Sequence, residues 1–454
     1  MTWFASAITR GAFPNGWLAL ALVGLAPTAL TTTSASTENP SSSASLIASP
    51  EPGWPQFRGP RRDGISDERG LLPSWPEAGP TLLWSAQGLG RGHSSPVFGD
   101  GRIYLTGDFN EDLLVLAYDL QGKPLWRSKN GDAWLNQHQG ARSTVTFNAG
   151  RLYHQNAHGR LACLDAATGQ ELWSVNVLER FRGENIRWGI SECLLVDERA
   201  VYVTAGGRDA LLVAFDKVTG NVLWKSAPLL DVEGDGSADN PGYGSPILVS
   251  FADRRLLIGS SQRHLYCADA DTGELQWTRR RPTPYSVLAM MPVLAGDTIF
   301  MTAPLAEPGA LHRLIAPTQP GGKVGVEDLW TTQLDTAQGG VVYKNGRFFG
   351  SHYPRRGGWS AIEAATGKVL YNDPDMVKGS VLVADKRLYA LTEDGWMHLL
   401  RDSDTQFAVE GRFRLATPRD RDAWTHPVIL NGRLYLRFHD TLYCYDIRSQ
   451  PAAK

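Results

Sequence analysis

Four groupings of residues in this 454-residue chain combine side chains and spacings that could do chemistry. The most compact is Asp231-Val-Glu233-Gly-Asp235-Gly-Ser-Ala-Asp239, with acids at alternate positions around glycine. Oxygen donors spaced this way suit Ca²⁺, and the glycine suits the sharp turn such a loop makes. Glu233 stands where Asp or Asn is preferred, and position twelve is Gly242 rather than a bidentate Glu, so a calcium loop and a plain acidic loop both stay open. A second grouping is His93 with His426, two of the three or four ligands that an imidazole metal site needs. Ser94 and Ser95 beside His93 suggest a nucleophile with its base, but no Gly-x-Ser-x-Gly elbow surrounds them. A third is Glu192, one carboxylate where paired-acid catalysis needs two. The fourth is a mixed set, Trp188, Tyr243 and Trp424 with Arg142 and Lys378, which suits ligand binding without chemistry.

These residues are far apart in sequence, so their meaning depends on the elements that gather them. The chain repeats a phrase: a small residue, a spacer, an acid, a turn closing on Gly, then an aromatic. It runs Ala117-x-Asp119 to Gly122 and Trp126, Cys163-x-Asp165 to Gly169 and Trp173, and Ala214-x-Asp216 to Gly220 and Trp224. It returns at Cys267-x-Asp269 to Gly273 and Trp277, and at Ala361-x-Glu363 to Gly367 and Tyr371. Spacing adds Trp84, Trp330 and Phe413, giving eight aromatic beats 41–53 residues apart. A blade of four strands takes about 40–50 residues. Turn signals such as Asp100-Gly101 and Asn431-Gly432 between apolar runs mark hairpins inside each unit. The Asp of each phrase can accept backbone N–H bonds in the turn, and the aromatic is a plate expected to pack on the small slot and the next blade.

The predicted fold is all-β: an eight-bladed β-propeller of four-stranded antiparallel blades. Residues 81–87 read as a last strand with no blade before them, and 423–448 as a blade with no last strand. Joining them closes the ring and removes the open sheet edge. The innermost strand of each blade then starts at one channel mouth, where loops converge and ligands bind. With Pro96, Pro246, Pro292 and Pro427 as anchors, the column three positions earlier includes His93, Arg142, Tyr243, Lys378 and Trp424. The column one position earlier includes Ser95, Thr144, Glu192, Ser245, Ser380 and His426. The expected mouth residues are therefore His93, Arg142, Trp188, Glu192, Tyr243, Lys378, Trp424 and His426, with a polar water-filled channel as the plain alternative.

A formal net charge of −2 supplies no field for nucleic acid or an anionic membrane. Cys163, Cys267 and Cys444 occupy the small slot that other repeats fill with Ala, too far apart to bridge, and read as small buried hydrophobes. Arg10 followed by the apolar run 17–26 and small residues reads as a secretory signal over 1–36, too short to span a bilayer. Residues 37–52, rich in Ser, Pro, Thr and Glu, read as a flexible spacer, and 53–449 as one propeller domain. A periplasmic or extracellular monomer without a transmembrane segment is expected.

The phrase Ala/Cys-x-Asp-x-x-Thr-Gly-x-x-x-Trp resembles the pyrroloquinoline-quinone (PQQ) repeat of quinoprotein-like propellers. Trp54-Pro-Gln-Phe-Arg-Gly-Pro60 with Asp63-Gly64 resembles the opening of secreted bacterial PQQ-like repeat proteins. The resemblance implies the eight-bladed fold and admits calcium- and quinone-dependent dehydrogenases as well as outer-membrane assembly lipoproteins that bind proteins. A quinone site implies calcium held by Glu, Asn and Asp, a catalytic Asp, a Trp floor and a ring of adjacent cysteines. The chain has no adjacent cysteine pair and no Cys-x-x-Cys-His haem motif. The reading is a non-catalytic scaffold with no cofactor expected, binding a protein or small-molecule partner at the channel mouth. The alternatives are a PQQ- and Ca-dependent oxidoreductase and a carbohydrate-binding module.

Overall fold

Short apolar strands alternate with turns whose residues tolerate left-handed backbone. At Asp100-Gly101 both φ values are positive, 47° and 71°, and at Asn431-Gly432 they are 55° and 67°. Paired positive φ values match the twist of the flanking strands and so fold each segment into a hairpin. The computed structural model describes residues 43–305, 308–353, 357–415 and 422–449. The proposed signal segment lies outside them. The hairpins build eight four-stranded antiparallel sheets arranged in a ring. The first is Val97–Gly99, Arg102–Phe109, Asp112–Asp119 and Pro124–Asp132. The eighth is Val428–Leu430, Arg433–Phe438 and Thr441–Asp446, completed on its outer side by Thr81–Gln87, with Trp84 opposite Cys444. The ring closes as the sequence predicts.

The repeated phrase acts both within a blade and between blades. The Asp165 carboxylate accepts hydrogen bonds from Ala167 N (3.1 Å), Thr168 N (2.9 Å) and Thr168 Oγ1 (2.8 Å), and Asp216 and Asp269 repeat the pattern. Each closing aromatic lies opposite the small slot of its own blade: Trp173 with Cys163, Trp224 with Ala214, Trp277 with Cys267. Where the next blade carries the phrase, the ring covers its glycine; Trp277, whose neighbouring blade lacks the phrase, has an unpartnered indole N–H. A Cβ on Gly273 would stand 2.4 Å from Trp224, and one on Gly169 2.5 Å from Trp126. The indole N–H donates to the carbonyl just after the acid: Trp126 to Ala166 (3.3 Å), Trp173 to Lys217 (3.2 Å), Trp224 to Ala270 (3.0 Å), Trp330 to Ala364 (3.1 Å). Trp84 also covers its glycine, Gly122, but its N–H has no partner. The turn there, Asp119 to Gly122, is one residue shorter than its counterparts. All four cysteines are buried and unbridged.

Hydroxyls stitch the inner strands together. His426 N donates to Ser95 Oγ (3.2 Å), Ser95 N to Thr144 Oγ1 (2.9 Å), and Cys193 N to Ser245 Oγ (2.8 Å). The column one position before each anchor is thus mainly an inter-blade belt.

The channel does not run through as open water. Residues 45–68 thread into it from the far side. Ser45–Leu46 adds a strand to Ile247–Phe251, so this part of the segment read as a spacer is hydrogen-bonded in place. Phe98 N donates to Trp54 O (2.9 Å) and Phe147 N to Pro55 O (2.8 Å). Arg62 donates to Cys193 O (2.7 Å) and Leu194 O (3.1 Å), Arg58 to Val341 O (2.6 Å), and Ser66 N to Val383 O (2.8 Å). The inserted chain thereby satisfies inner-strand groups that would otherwise face the channel unpaired. No helix among the described residues is long and apolar enough to cross a membrane.

Candidate binding site at the channel mouth

All eight blades contribute to one cavity of about 530 Å³ at the start of the inner strands. That size suits a small organic molecule. Seven of the eight expected mouth residues line it: His93, Arg142, Trp188, Tyr243, Lys378, Trp424 and His426. Phe57 and Arg58 of the inserted segment also line it, a contribution that no repeat position signals.

Glu192 is corrected. It is 1 % exposed, does not line the cavity, and accepts from Thr204 N (3.0 Å) and Thr204 Oγ1 (3.2 Å). It lies just ahead of the strand Leu195–Val196, where its neighbours Ser191 and Cys193 line the cavity and its own side chain turns away into the blade. Burial pushes its carboxyl up to about 7 against those two hydrogen bonds.

The wall is a run of rings. Centroids lie 4.8 Å apart for His93 and Trp424, 5.5 Å for Trp424 and His138, 5.8 Å for His138 and Trp188, and 6.1 Å for Trp188 and Tyr243. His138 sits in a loop outside the aligned columns, which is why the repeat alignment passed over it. The charged groups are cationic. Arg142 donates to Trp188 O and to His138 O (2.6 Å) and lies 5.3 Å from the Trp134 ring. Arg187 spans Trp188 and Tyr285, 5.4 and 5.1 Å from their rings. Burial draws Arg58 and Arg142 down to about 10, which leaves both charged at neutral pH. Lys378 pairs with Glu393, which also takes the Trp424 indole N–H at 2.7 Å. Among the described residues, no Asp or Glu lines the cavity.

This setting keeps His93 and His426 neutral. Burial, then the charge of Arg58, draws His426 down to about 3, while its Nε2 lies 2.8 Å from Gln338 O. Burial, then His439, Arg437 and Arg142, hold His93 well below the usual range. No group of three metal-capable side chains occurs among the described residues. A calcium-held quinone needs carboxylate oxygens, and the described lining offers none, Gln338 being its one side-chain amide, so the residues present do not fit one.

The nucleophile types that line the cavity have no base beside them: Ser191 Oγ donates to Tyr243 O (2.9 Å), Ser245 Oγ accepts from Cys193 N (2.8 Å), and burial raises the Cys193 thiol. Ser94 Oγ donates to Thr106 O (3.1 Å) and accepts from Arg437 Nη1 (2.6 Å), fully buried. Two deeper constellations imitate a hydrolytic triad. Ser143 Oγ lies 2.7 Å from His154 Nε2, whose Nδ1 lies 2.8 Å from Asn130 Nδ2. An Arg160 bond to Asn130 Oδ1 fixes that amide with its NH₂ toward Nδ1, so Nε2 carries the proton and is no base for the serine. Ser360 Oγ lies 2.7 Å from His352 Nε2, with Asp335 Oδ1 3.3 Å from Nδ1, but Ser360 is 1 % exposed and out of substrate reach.

The acidic loop is an ion-pair knot. Arg280 Nε lies 2.6 Å from Asp231 Oδ1, and Arg263 reaches Asp231 (3.2 Å), Asp235 (3.1 Å) and Asp239 (3.1 Å). His264 Nδ1 lies 2.8 Å from Asp239. Guanidinium groups already occupy the face where a calcium ion would sit. Glu233 has no ion pair within this knot.

Residues 111–239 and 208–316 match the family model described as outer membrane protein assembly factor BamB. The chain is 31 % identical over 170 residues to the quinoprotein ethanol dehydrogenase of Pseudomonas putida, covering 34 % of this chain and 25 % of that one. It is 28 % identical over 190 residues to the outer membrane protein assembly factor BamB of Kangiella koreensis, covering 40 % and 42 %. The matches thus span a quarter to two-fifths of these relatives' own length. The crystal structure of quinohemoprotein alcohol dehydrogenase from Comamonas testosteroni superposes with TM-score 0.58 at 14 % identity, over 88 % of this chain and 81 % of that one. BamB from Moraxella catarrhalis superposes with TM-score 0.53 at 15 % identity, over 82 % and 99 %. At such identity these structures share the fold alone. The repeated phrase, the closed ring of eight blades and the family-model match over residues 111–239 and 208–316 support a PQQ-like β-propeller repeat family for this chain.

Proposed function

We propose that this protein is a non-catalytic scaffold, exported to the periplasm or beyond, that binds a partner at its channel mouth as a monomer. The observation that carries the reading is the composition of the cavity. Eight blades converge on aromatic and cationic side chains, and the described lining offers no carboxylate and no serine or cysteine hydrogen-bonded to a side-chain base. Such a lining holds a ligand without supplying chemistry to transform it. Likeness to relatives named outer membrane protein assembly factor supports a protein partner. Export rests on the sequence of residues 1–36.

Relatives named quinoprotein dehydrogenases support the competing reading, an oxidoreductase using PQQ and calcium. A carbohydrate ligand has only the aromatic wall in its favour. Two measurements decide. A photo-crosslinking residue at exposed Arg187 should capture a partner in the native host, and one at Asn345, in a turn at the far end of an inner strand, should not. Dye-linked oxidation of alcohols after addition of PQQ and Ca²⁺ should stay at background. Sustained turnover there, or equal capture at both positions, overturns the scaffold reading.

A further inference from the structure

Arg58 is a buried cation without a buried anion. The residue is 3 % exposed, lines the cavity, and donates through Nη2 to Asp63 O (3.0 Å) and Val341 O (2.6 Å). Its Nη1 has no hydrogen-bond partner. That atom sits against Gly340, where a Cβ would stand 2.2 Å away, and Gly340 itself lines the cavity with His426 beside it. Asp63 directs its carboxylate to Arg61 (2.9 Å) rather than to Arg58. Arg142, on the same cavity, likewise has a buried Nε without a partner and, among the described residues, no ion pair. A guanidinium removed from water without a counter-charge is costly, and a planar fork of donors fits a carboxylate. Around these two cations the wall is aromatic and apolar, from Trp188 and Trp424 to Met290.

We infer that the cavity binds a small carboxylate carried on a flat apolar body, its charge held by Arg58 from the inserted N-terminal segment and its rings laid against Trp188 and Trp424, without a metal ion. The inference rests on the channel-mouth reading and narrows it to one ligand chemistry. The inserted segment is then part of the recognition surface as well as a stopper.

The experiment titrates the full-length protein with 2-naphthoate and with its neutral match, 2-naphthamide, following tryptophan fluorescence. The acid should bind at least tenfold more tightly than the amide, with the same affinity in the presence of a chelator. In Arg58→Gln that preference should fall to about twofold or less, with melting temperature recorded alongside. Because the acid–amide pair is compared on the unaltered protein, the result does not depend on the variant folding. Equal affinity for acid and amide, loss of binding on chelation, no binding of either at millimolar concentration, or a full preference in a folded Arg58→Gln each overturns the inference. A partner captured through Arg187 alongside such a negative result would leave the scaffold reading standing.

Discussion

Burial pushes the Glu192 carboxyl up to about 7 from an ordinary value near 4.5. A raised carboxyl pKa means the folded chain holds this proton more tightly than the unfolded one. The stabilisation is full below about pH 4.5 and is lost as pH rises through about 7. Glu192→Gln mimics the protonated form and keeps an acceptor for Thr204. It should melt at a higher temperature than the parent at pH 8 and at nearly the same one at pH 4.5, the gap reflecting up to roughly 3 kcal/mol. The buried histidines act oppositely: His426 and His154, drawn down to about 3 chiefly by burial, lose stabilisation as pH falls below about 6.5. Asp108, raised by burial to about 6, shares the direction of Glu192. The parent-minus-variant difference across pH 4.5–8, measured by calorimetry, isolates Glu192. An equal gap at both ends of that range would mean the carboxyl is charged throughout.

Between blades, the tryptophan-on-glycine contact can be taken apart atom by atom. Trp224→Phe removes the indole bond to Ala270 O and should cost about 1 kcal/mol, whereas Trp224→Ala should cost about 3 kcal/mol. Gly273→Ala combines a 2.4 Å clash with a φ of 78° and should cost more than about 1 kcal/mol. Denaturant melts of the three variants would rank them, and a harmless Gly273→Ala would contradict the contact. In the acidic loop, where arginines already hold Asp231, Asp235 and Asp239, a chelator should leave the melting midpoint unchanged. A shift of several degrees would indicate a bound ion after all. These elements were legible in advance because their signal is local and repeated: Asp, turn, Gly and Trp recur at fixed offsets. The inserted segment was not, because Trp54-Pro-Gln-Phe-Arg occurs once and its partners lie on distant strands, Val341 being 283 residues from Arg58. Glu192 was misplaced because an alignment fixes position along a strand but a side chain's facing depends on local twist. His138 and Arg58 joined the site from outside the repeat altogether.

For the whole molecule, the closing strand can be separated from the stopper. A chain beginning at Pro80 keeps Thr81–Gln87 and should remain monomeric, though less stable. One beginning at Gly88 bares the edge of Thr441–Asp446 and should aggregate. Light scattering during refolding distinguishes them, and equal behaviour would mean that the strand does not guard the edge. The clasp carries one more consequence, for timing. Gly88, just after the closing strand, binds a residue 352 positions later. At ribosomal speeds of about 5–20 residues per second, the early strand waits roughly 20–70 s for its mate to be made. During that interval a hydrophobic ribbon has nowhere native to go, so any helper that shields nascent chains should matter more for this protein than its finished stability would suggest.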